Sequence, residues 1–395
     1  MSTDRPSRPP RAAFYNDPRI RSLGYQILLC VAVALLVYGA ASNAIENLQR
    51  ARIASGFGFW NTTAGFDISQ TLIEYSAQAS TYGRAFWVGL LNTLLVAGLG
   101  IMLATILGFV IGISRLSKNW LLAKVAGGYV ETIRNLPLLL QLLFWYNAVL
   151  KALPEMRASI TLPGGVFLNN RGLFMPKPVF EPGFVWVLVA LAVGIAGAVA
   201  FHIWARRRQE RTGAQAPVLA VALVLVVGLP LAALVLSGTP LAFAYPQAGR
   251  FNIVGGVEVL PEFAALLFGL STYTAAFIAE VVRAGILAVQ RGQVEAAYSL
   301  GLRPRPTLRL IVIPQAMRVI IPPLTNQYLN LTKNSSLAVA IGYPDLVQVF
   351  TGTVLNQTGQ AVEVVAITML VYLVISLATS LLMNIYNARV ALVER

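Results

Sequence analysis

Cysteine and histidine are nearly missing from this sequence: Cys30 and His202 are the only ones among 395 residues. A lone cysteine excludes an intramolecular disulfide. The two residues are far apart, form no group with metal-ligand spacing, and no HExxH pair is present. The phosphate-binding pattern GxxxxGK[ST] is also absent, so the chain does not bind and hydrolyse ATP through such a loop. No residue set supports catalysis, a bound cofactor or a resident metal. Charge is scarce as well: Asp, Glu, Lys and Arg make up 12% of the chain, where soluble domains carry about 25%.

What is abundant is apolar sequence. Hydrophobic residues are 57% of the chain and its mean hydropathy is positive, which an ordinary soluble domain does not show. Eight apolar runs, near 22–42, 86–113, 125–150, 184–204, 217–237, 262–282, 320–342 and 362–386, are long enough to cross about 30 Å of hydrocarbon at roughly 20 residues each. Their apolar residues surround the helix axis without strict alternation, which favours helices over barrel strands. The expectation is an all-α polytopic membrane protein with about eight transmembrane helices.

The net charge of +14 raises the question of nucleic acid, and its placement answers it. With the N-terminus inside, the inner segments hold five Lys and Arg up to Arg21, three from Arg115 to Lys124, four from Arg206 to Arg211, six from Arg283 to Arg318 and two near the C-terminus, against eight outside. This is the positive-inside asymmetry, whose natural partner is the lipid bilayer and its anionic headgroups and not nucleic acid. The Arg- and Pro-rich tail precedes a first helix that lacks a small-residue cleavage site, so an uncleaved helix is expected.

One inner segment, Arg291 to Pro314 (RGQVEAAYSLGLRPRPTLRLIVIP), has structure of its own. A short helix through Glu295, Ala296 and Ala297 should end where Gly301 can turn left-handed, and a second should start near Pro306. Glu295, Ala296, Ala297, Gly301, Ile311 and Pro314 stand in the register of the EAA loop of binding-protein-dependent ABC importer permeases, with Ile313 where that pattern has leucine. The flanking segments VETIRNLPLLLQLLFWY (130–146), YTAAFIAEVVRAGI (273–286) and IPPLTNQYLNLTKNSSLAVAIG (321–342) resemble the polar amino-acid permeases of the histidine and glutamine type. The length and a two-span insertion are most similar to the larger, Q-type permease of general L-amino-acid transporters.

The resemblance implies a type I importer core of five helices. The chain then divides into a cytosolic basic tail (1–21), a first helix with a periplasmic segment (22–85), the first part of the core (86–150), periplasmic loops around an inserted hairpin (151–261), the second part of the core (262–388) with the coupling loop at 287–316, and a cytosolic C-terminus (389–395). It also implies a place in the bacterial inner membrane with both termini cytosolic. The implied partners are a second homologous permease subunit, a dimer of ATPase subunits carrying ATP-Mg, a periplasmic amino-acid-binding protein and the amino-acid substrate. A secondary transporter or channel working without an ATPase, and a membrane scaffold, are the rival classes. The first would want coupling-ion carboxylates deep in the spans, and the second leaves the EAA register unexplained.

Two acid–base pairs at three-residue spacing, Glu131 with Arg134 and Glu280 with Arg283, lie at cytosolic helix ends and can pair along a helix face. They either anchor those ends or form an inner gate or a zwitterion contact. Lys333, Asn334, Ser335 and Ser336 interrupt the seventh run, which suits a translocation path, a packed interior, or a lysine snorkelling to the cytosolic surface. Pro137 should free backbone carbonyls early in the third run. Pro344 and Asp345 are expected to end the seventh, and the small residues of the sixth to allow close helix approach.

Overall fold

The computed structural model describes residues 18–50, 56–249 and 252–390. Most of the expected basic tail, and the chain from 391 onward, lie outside the described residues. Helix α1 (Pro18–Arg50) already begins at Pro18, and its apolar side chains from Leu23 to Tyr38 are exposed. It stands outside the packed bundle.

Helix α2 (Tyr82–Ser114) opens on Thr81, whose hydroxyl accepts the Arg84 N–H at 3.3 Å and satisfies one of the free donors of the first turn. Helix α3 (Trp120–Asn135) is capped in the same way by Asn119, which accepts from the Leu122 N–H at 3.2 Å. The third apolar run was expected as one crossing and is not one helix. Leu136 is extended (φ −98°, ψ 132°) because Pro137 disfavours the helical region for the residue before it. The chain resumes as α4 (Leu138–Leu143) and continues as a wider π turn over Phe144–Leu150. Seven helices of the described residues are long and apolar enough to span; the third of the eight expected runs is not among them, its apolar helical part Leu138–Leu150 being shorter than a span.

The chain then leaves the core. Helix α5 (Phe184–Thr212) returns through α6 (Val218–Leu223), a π turn and α7 (Leu229–Leu236), forming the anticipated hairpin. The connections that flank this hairpin are not purely irregular. Strands β1 (Ile160–Leu162), β2 (Val166–Asn169), β3 (Gly172–Met175), β4 (Lys177–Phe180), β5 (Leu241–Ala244), β6 (Gln247–Ala248), β7 (Ile253–Val254) and β8 (Val257–Val259) make three small antiparallel sheets, ordered β1-β2-β3-β8, β4-β5 and β6-β7. The fold is mostly helical, as expected, with these small sheets in the loops that flank the hairpin. These strands are too short to show an alternating pattern in the sequence.

Helix α8 (Pro261–Leu287) is the axis of the core, with Pro261 in its first turn where no donor is lost. Ala275, Ala276, Ile278, Ala279 and Val282 are fully buried on it. Helix α2 lies so close that a Cβ on Gly108 would come 2.5 Å from the Ile278 side chain and one on Gly112 2.7 Å from the Ala279 carbonyl. Small residues thus set the approach distance, as the sequence suggested. After α9 (Arg291–Ser299) comes α10 (Pro304–Thr307), a π turn over Leu308–Val312 and α11 (Ile313–Asn334). A tight 3₁₀ segment (Ser335–Ile341), a π segment (Val347–Val354), α12 (Leu355–Thr358) and α13 (Ala361–Val390) complete the chain.

Candidate coupling loop and inner charge cluster

The loop between α8 and α11 is a helix-turn-helix. Gly301 is left-handed (φ +78°) and closes α9: its N–H donates to the Tyr298 carbonyl at 2.9 Å, and the Leu302 N–H donates back to Ala297 at 3.1 Å. These two hydrogen bonds satisfy carbonyls that a helix end otherwise leaves free. The second helix starts at Pro304, two residues before the expected Pro306. It does not end before the span. From Pro304 to Ile341 the chain is one helical element of 38 residues, so the loop and the seventh span are mechanically continuous. The π turn falls just before Pro314, which has no N–H to give to the carbonyl four residues back, and widening the helix there accommodates that loss.

Of the six motif residues, Ala297 is buried and Ile311 half-buried, whereas Glu295, Ala296, Gly301 and Pro314 are exposed. Around them Tyr298, Leu300, Leu308, Leu310 and Ile313 are exposed too, Leu300 at 82%. The loop thus presents an acid on an apolar, uncovered face, the kind of patch that marks interaction sites.

A second cluster gathers on Glu280. Arg283 donates Nη2 to Oε1 at 2.6 Å and Nε at 3.2 Å, which is the expected pair. Arg115, at the end of α2, bonds the other oxygen, and Arg134 approaches it at 3.9 Å with its guanidinium 5.2 Å over the Phe277 ring. The expected pairing of Glu131 with Arg134 is not made. Val130 and Ile133 turn the inner face of α3 onto Ala276 and Ala279, which carries Arg134 towards α8 and leaves Glu131 on the exposed side without an ion pair among the described residues. Three arginines share one carboxylate, so the cluster is cationic and has capacity for a further carboxylate. Arg115 was legible only as a charge at the end of a span.

The four polar residues of the seventh run sit elsewhere. Helix α11 turns to 3₁₀ geometry at Ser335, which is buried and donates to the Thr332 carbonyl at 2.8 Å, while Ser336 donates to Lys333 at 2.7 Å. Asn334 is half-buried and Lys333 exposed. Leu331 packs at Gly100, fourteen residues from the inner end of α2, or about 21 Å at 1.5 Å per residue. Lys333 therefore lies near mid-depth, too far for its stem to reach the cytosolic surface. This placement weighs against the snorkelling alternative, because a charge at that depth would be costly against lipid.

Sequence reasoning missed one buried node. Asp345 is fully buried and accepts from the Gln348 N–H at 2.8 Å and the Tyr372 hydroxyl at 3.1 Å. Next to it Asn92 donates to the Pro344 and Gln70 carbonyls (2.8 and 2.9 Å), and Thr93 accepts the Leu346 N–H at 3.0 Å. The Pro344–Asp345 turn does follow the end of the 3₁₀ segment, as expected, but it also ties α2, α13 and the outer segment together. At the outer end of the core, Tyr146 donates to Glu262 at 2.6 Å beneath Lys151. The nearby Glu258 carboxyl is held above its usual range chiefly by burial, Arg171 opposing and Glu262 reinforcing.

Residues 211–392 match the family described as binding-protein-dependent transport system inner membrane component. The general L-amino acid transport system permease protein AapQ of Rhizobium johnstonii is 55% identical over 98% of this chain and 96% of its own length. The putative amino-acid ABC transporter permease protein YhdX of Escherichia coli is 52% identical over 96% and 97%. The glutamate/glutamine/aspartate/asparagine transport system permease protein BztB of Rhodobacter capsulatus is 44% identical over 98% and 99%. A crystal structure titled as an amino acid ABC transporter with histidines aligns with a TM-score of 0.47 at 23% identity, over 78% of this chain and 95% of that one. With relatives this similar along almost the whole chain, this multi-pass membrane protein belongs to the binding-protein-dependent transport system inner membrane component family.

Proposed function

We propose that the chain is the permease subunit of an ATP-driven amino-acid importer in the bacterial inner membrane, with both termini cytosolic. One observation carries the coupling step: the Glu295–Gly301 turn opens directly into the 38-residue element that includes the seventh span. A partner ATPase dimer holding ATP-Mg would seat on Glu295, Ala296 and the exposed Tyr298 and Leu300. Its closure would move α9, and with it α11, as a rigid lever in alternating access. Ala297, buried at the turn, and Ile311 and Pro314, at and just after the π turn, would join α9 to the lever.

The pore would form against a second, homologous permease, which gives mid-depth Lys333 a wet or protein-lined environment. Asn334, Ser335 and Ser336 then shape the wall at the change from α to 3₁₀ geometry. Arg134 and Arg283, held with Arg115 on Glu280, make an inner gate able to receive the carboxylate of a passing amino acid, and Glu131 offers the exposed acid beside it. A periplasmic binding protein would deliver the cargo on the side of the small sheets.

The test is the purified complex, reconstituted with its binding protein and assayed for ATP hydrolysis over a panel of amino acids. Stimulation by loaded binding protein is expected. Uptake without any ATPase subunit would overturn the reading in favour of a secondary transporter.

A further inference from the structure

The inserted hairpin ends in a charged face that the transport reading does not use. Its two helices meet in antiparallel register: a Cβ on Gly183 would come 3.2 Å from the Pro240 ring and 3.6 Å from the Ser237 carbonyl, and one on Gly194 would collide with the Leu225 carbonyl. That register puts Val218, where the returning helix begins, level with Phe201. Helix α5 nevertheless runs on to Thr212, eleven residues and about 16 Å beyond its partner. It ends on Gly213 in the left-handed conformation (φ +69°).

This overhang is two-faced. Trp204, Arg207, Arg208 and Arg211 fall at i, i+3, i+4 and i+7, on one side of the helix. Arg206 and Glu210 lie on the opposite side and pair with each other at 3.2 Å. The only acid of the overhang is thereby taken up on the far face, and three exposed arginines on the near face have no carboxylate among the described residues. The Arg208 guanidinium lies 5.2 Å over the Trp204 ring, and Trp204 lies 5.4 Å from Phe201, so the aromatic pair stands directly below the charges. An indole half-exposed at the end of an apolar span marks the headgroup level of a bilayer.

We propose that this face is a binding site for an acidic phospholipid of the cytosolic leaflet. Arg207, Arg208 and Arg211 would hold the phosphate, and Phe201 and Trp204 would pack on the glycerol and the upper acyl chain. The face lies at the membrane end of a spanning hairpin that packs on itself, so lipid reaches it without displacing protein. Charge complementarity selects an anionic headgroup over a zwitterionic one. The site requires only that the hairpin tip be cytosolic and is independent of the cargo.

The test uses the full chain in nanodiscs of phosphatidylcholine with added dibrominated phosphatidylglycerol or dibrominated phosphatidylcholine. Trp204 fluorescence is isolated as the difference between wild type and Trp204→Phe. Quenching by the brominated phosphatidylglycerol should be half-complete at a mole fraction on the order of tenfold lower than for phosphatidylcholine. High salt should narrow that gap. Arg207→Gln with Arg208→Gln and Arg211→Gln should abolish the preference, whereas the triple Lys variant, which keeps the topology-setting charge, should retain most of it. Equal quenching by the two lipids in wild type, or a preference that survives the triple Gln change, would overturn the proposal. A Trp204 shielded from both lipids would overturn it too, in favour of a protein partner on this face.

Discussion

Replacing Gly301 by valine isolates one term in the coupling loop. No heavy atom lies within 4 Å of the position its Cβ would take, so the first added atom meets no neighbour. The cost is backbone alone: φ is +78°, and a residue with a Cβ held there loses about 1–2 kcal/mol, more where Cβ is branched. That is a factor of roughly 5–30 between the native turn and any competing one. Helix α9 has nine residues and is too short to persist without its end bonds, so it shares the fate of the Gly301 and Leu302 hydrogen bonds. The valine variant should insert normally and leave the binding protein's capture of amino acid unchanged. It should retain less ATPase in washed membranes, or hydrolyse ATP without matching uptake. Gly301→Asn, which tolerates the left-handed region, should behave close to wild type. If the valine variant recruits ATPase and transports as wild type does, the turn does not set the docking angle. If both substitutions fail alike, the defect is not backbone strain, and the argument from φ is refuted.

Three further outcomes are expected. A reporter fused after Arg208 should read as cytosolic and one near Asn170 as periplasmic; the reverse at Arg208 would break the hairpin topology. Arg283→Ala should lower uptake while the complex assembles, since Arg115 and Arg134 still neutralise Glu280; disappearance of the protein from membranes would assign Arg283 to anchoring instead. Gly108→Leu should lower the amount of folded permease, because its Cβ alone would come 2.5 Å from the Ile278 side chain and overpacking of this kind costs about 1–3 kcal/mol; unchanged thermal stability of the purified chain would contradict the close approach of α2 and α8.

Most of the spans, the hairpin and the turn at Gly301 were legible because each rests on local chemistry: apolar length, basic loops, and a glycine where a helix must end. Contacts between distant helices were not. Glu280 and Arg283 lie three apart on one helix and pair as spacing predicts, but Arg134 finds its acid on a different helix because Val130 and Ile133 fix which face of α3 meets α8. The broken third span was half visible. Pro137 announced a disturbance, yet hydropathy alone still ran on through it, since Leu138 to Leu140 are as apolar inside a short helix as inside a long one. The small sheets left no trace because strands of two to four residues have no period to detect.

Depth is the quantity that changes the meaning of a residue most. In the sequence Lys333 could be a snorkelling lysine, because its distance from the cytosolic surface depends on where the helix starts, and composition does not set that start. Once α11 is continuous with the loop before it and Leu331 is level with Gly100, about 21 Å from the C-terminal end of α2, the same lysine is an exposed charge about midway along that spanning helix. An ammonium group facing lipid there would cost at least about 2.5–3.5 kcal/mol, an appreciable part of the stability of a whole domain. A surface that carries such a group and is uncovered in the single chain therefore argues for a second subunit or a water path against that side of α11. It argues on the same ground against a lone chain acting as a complete transporter.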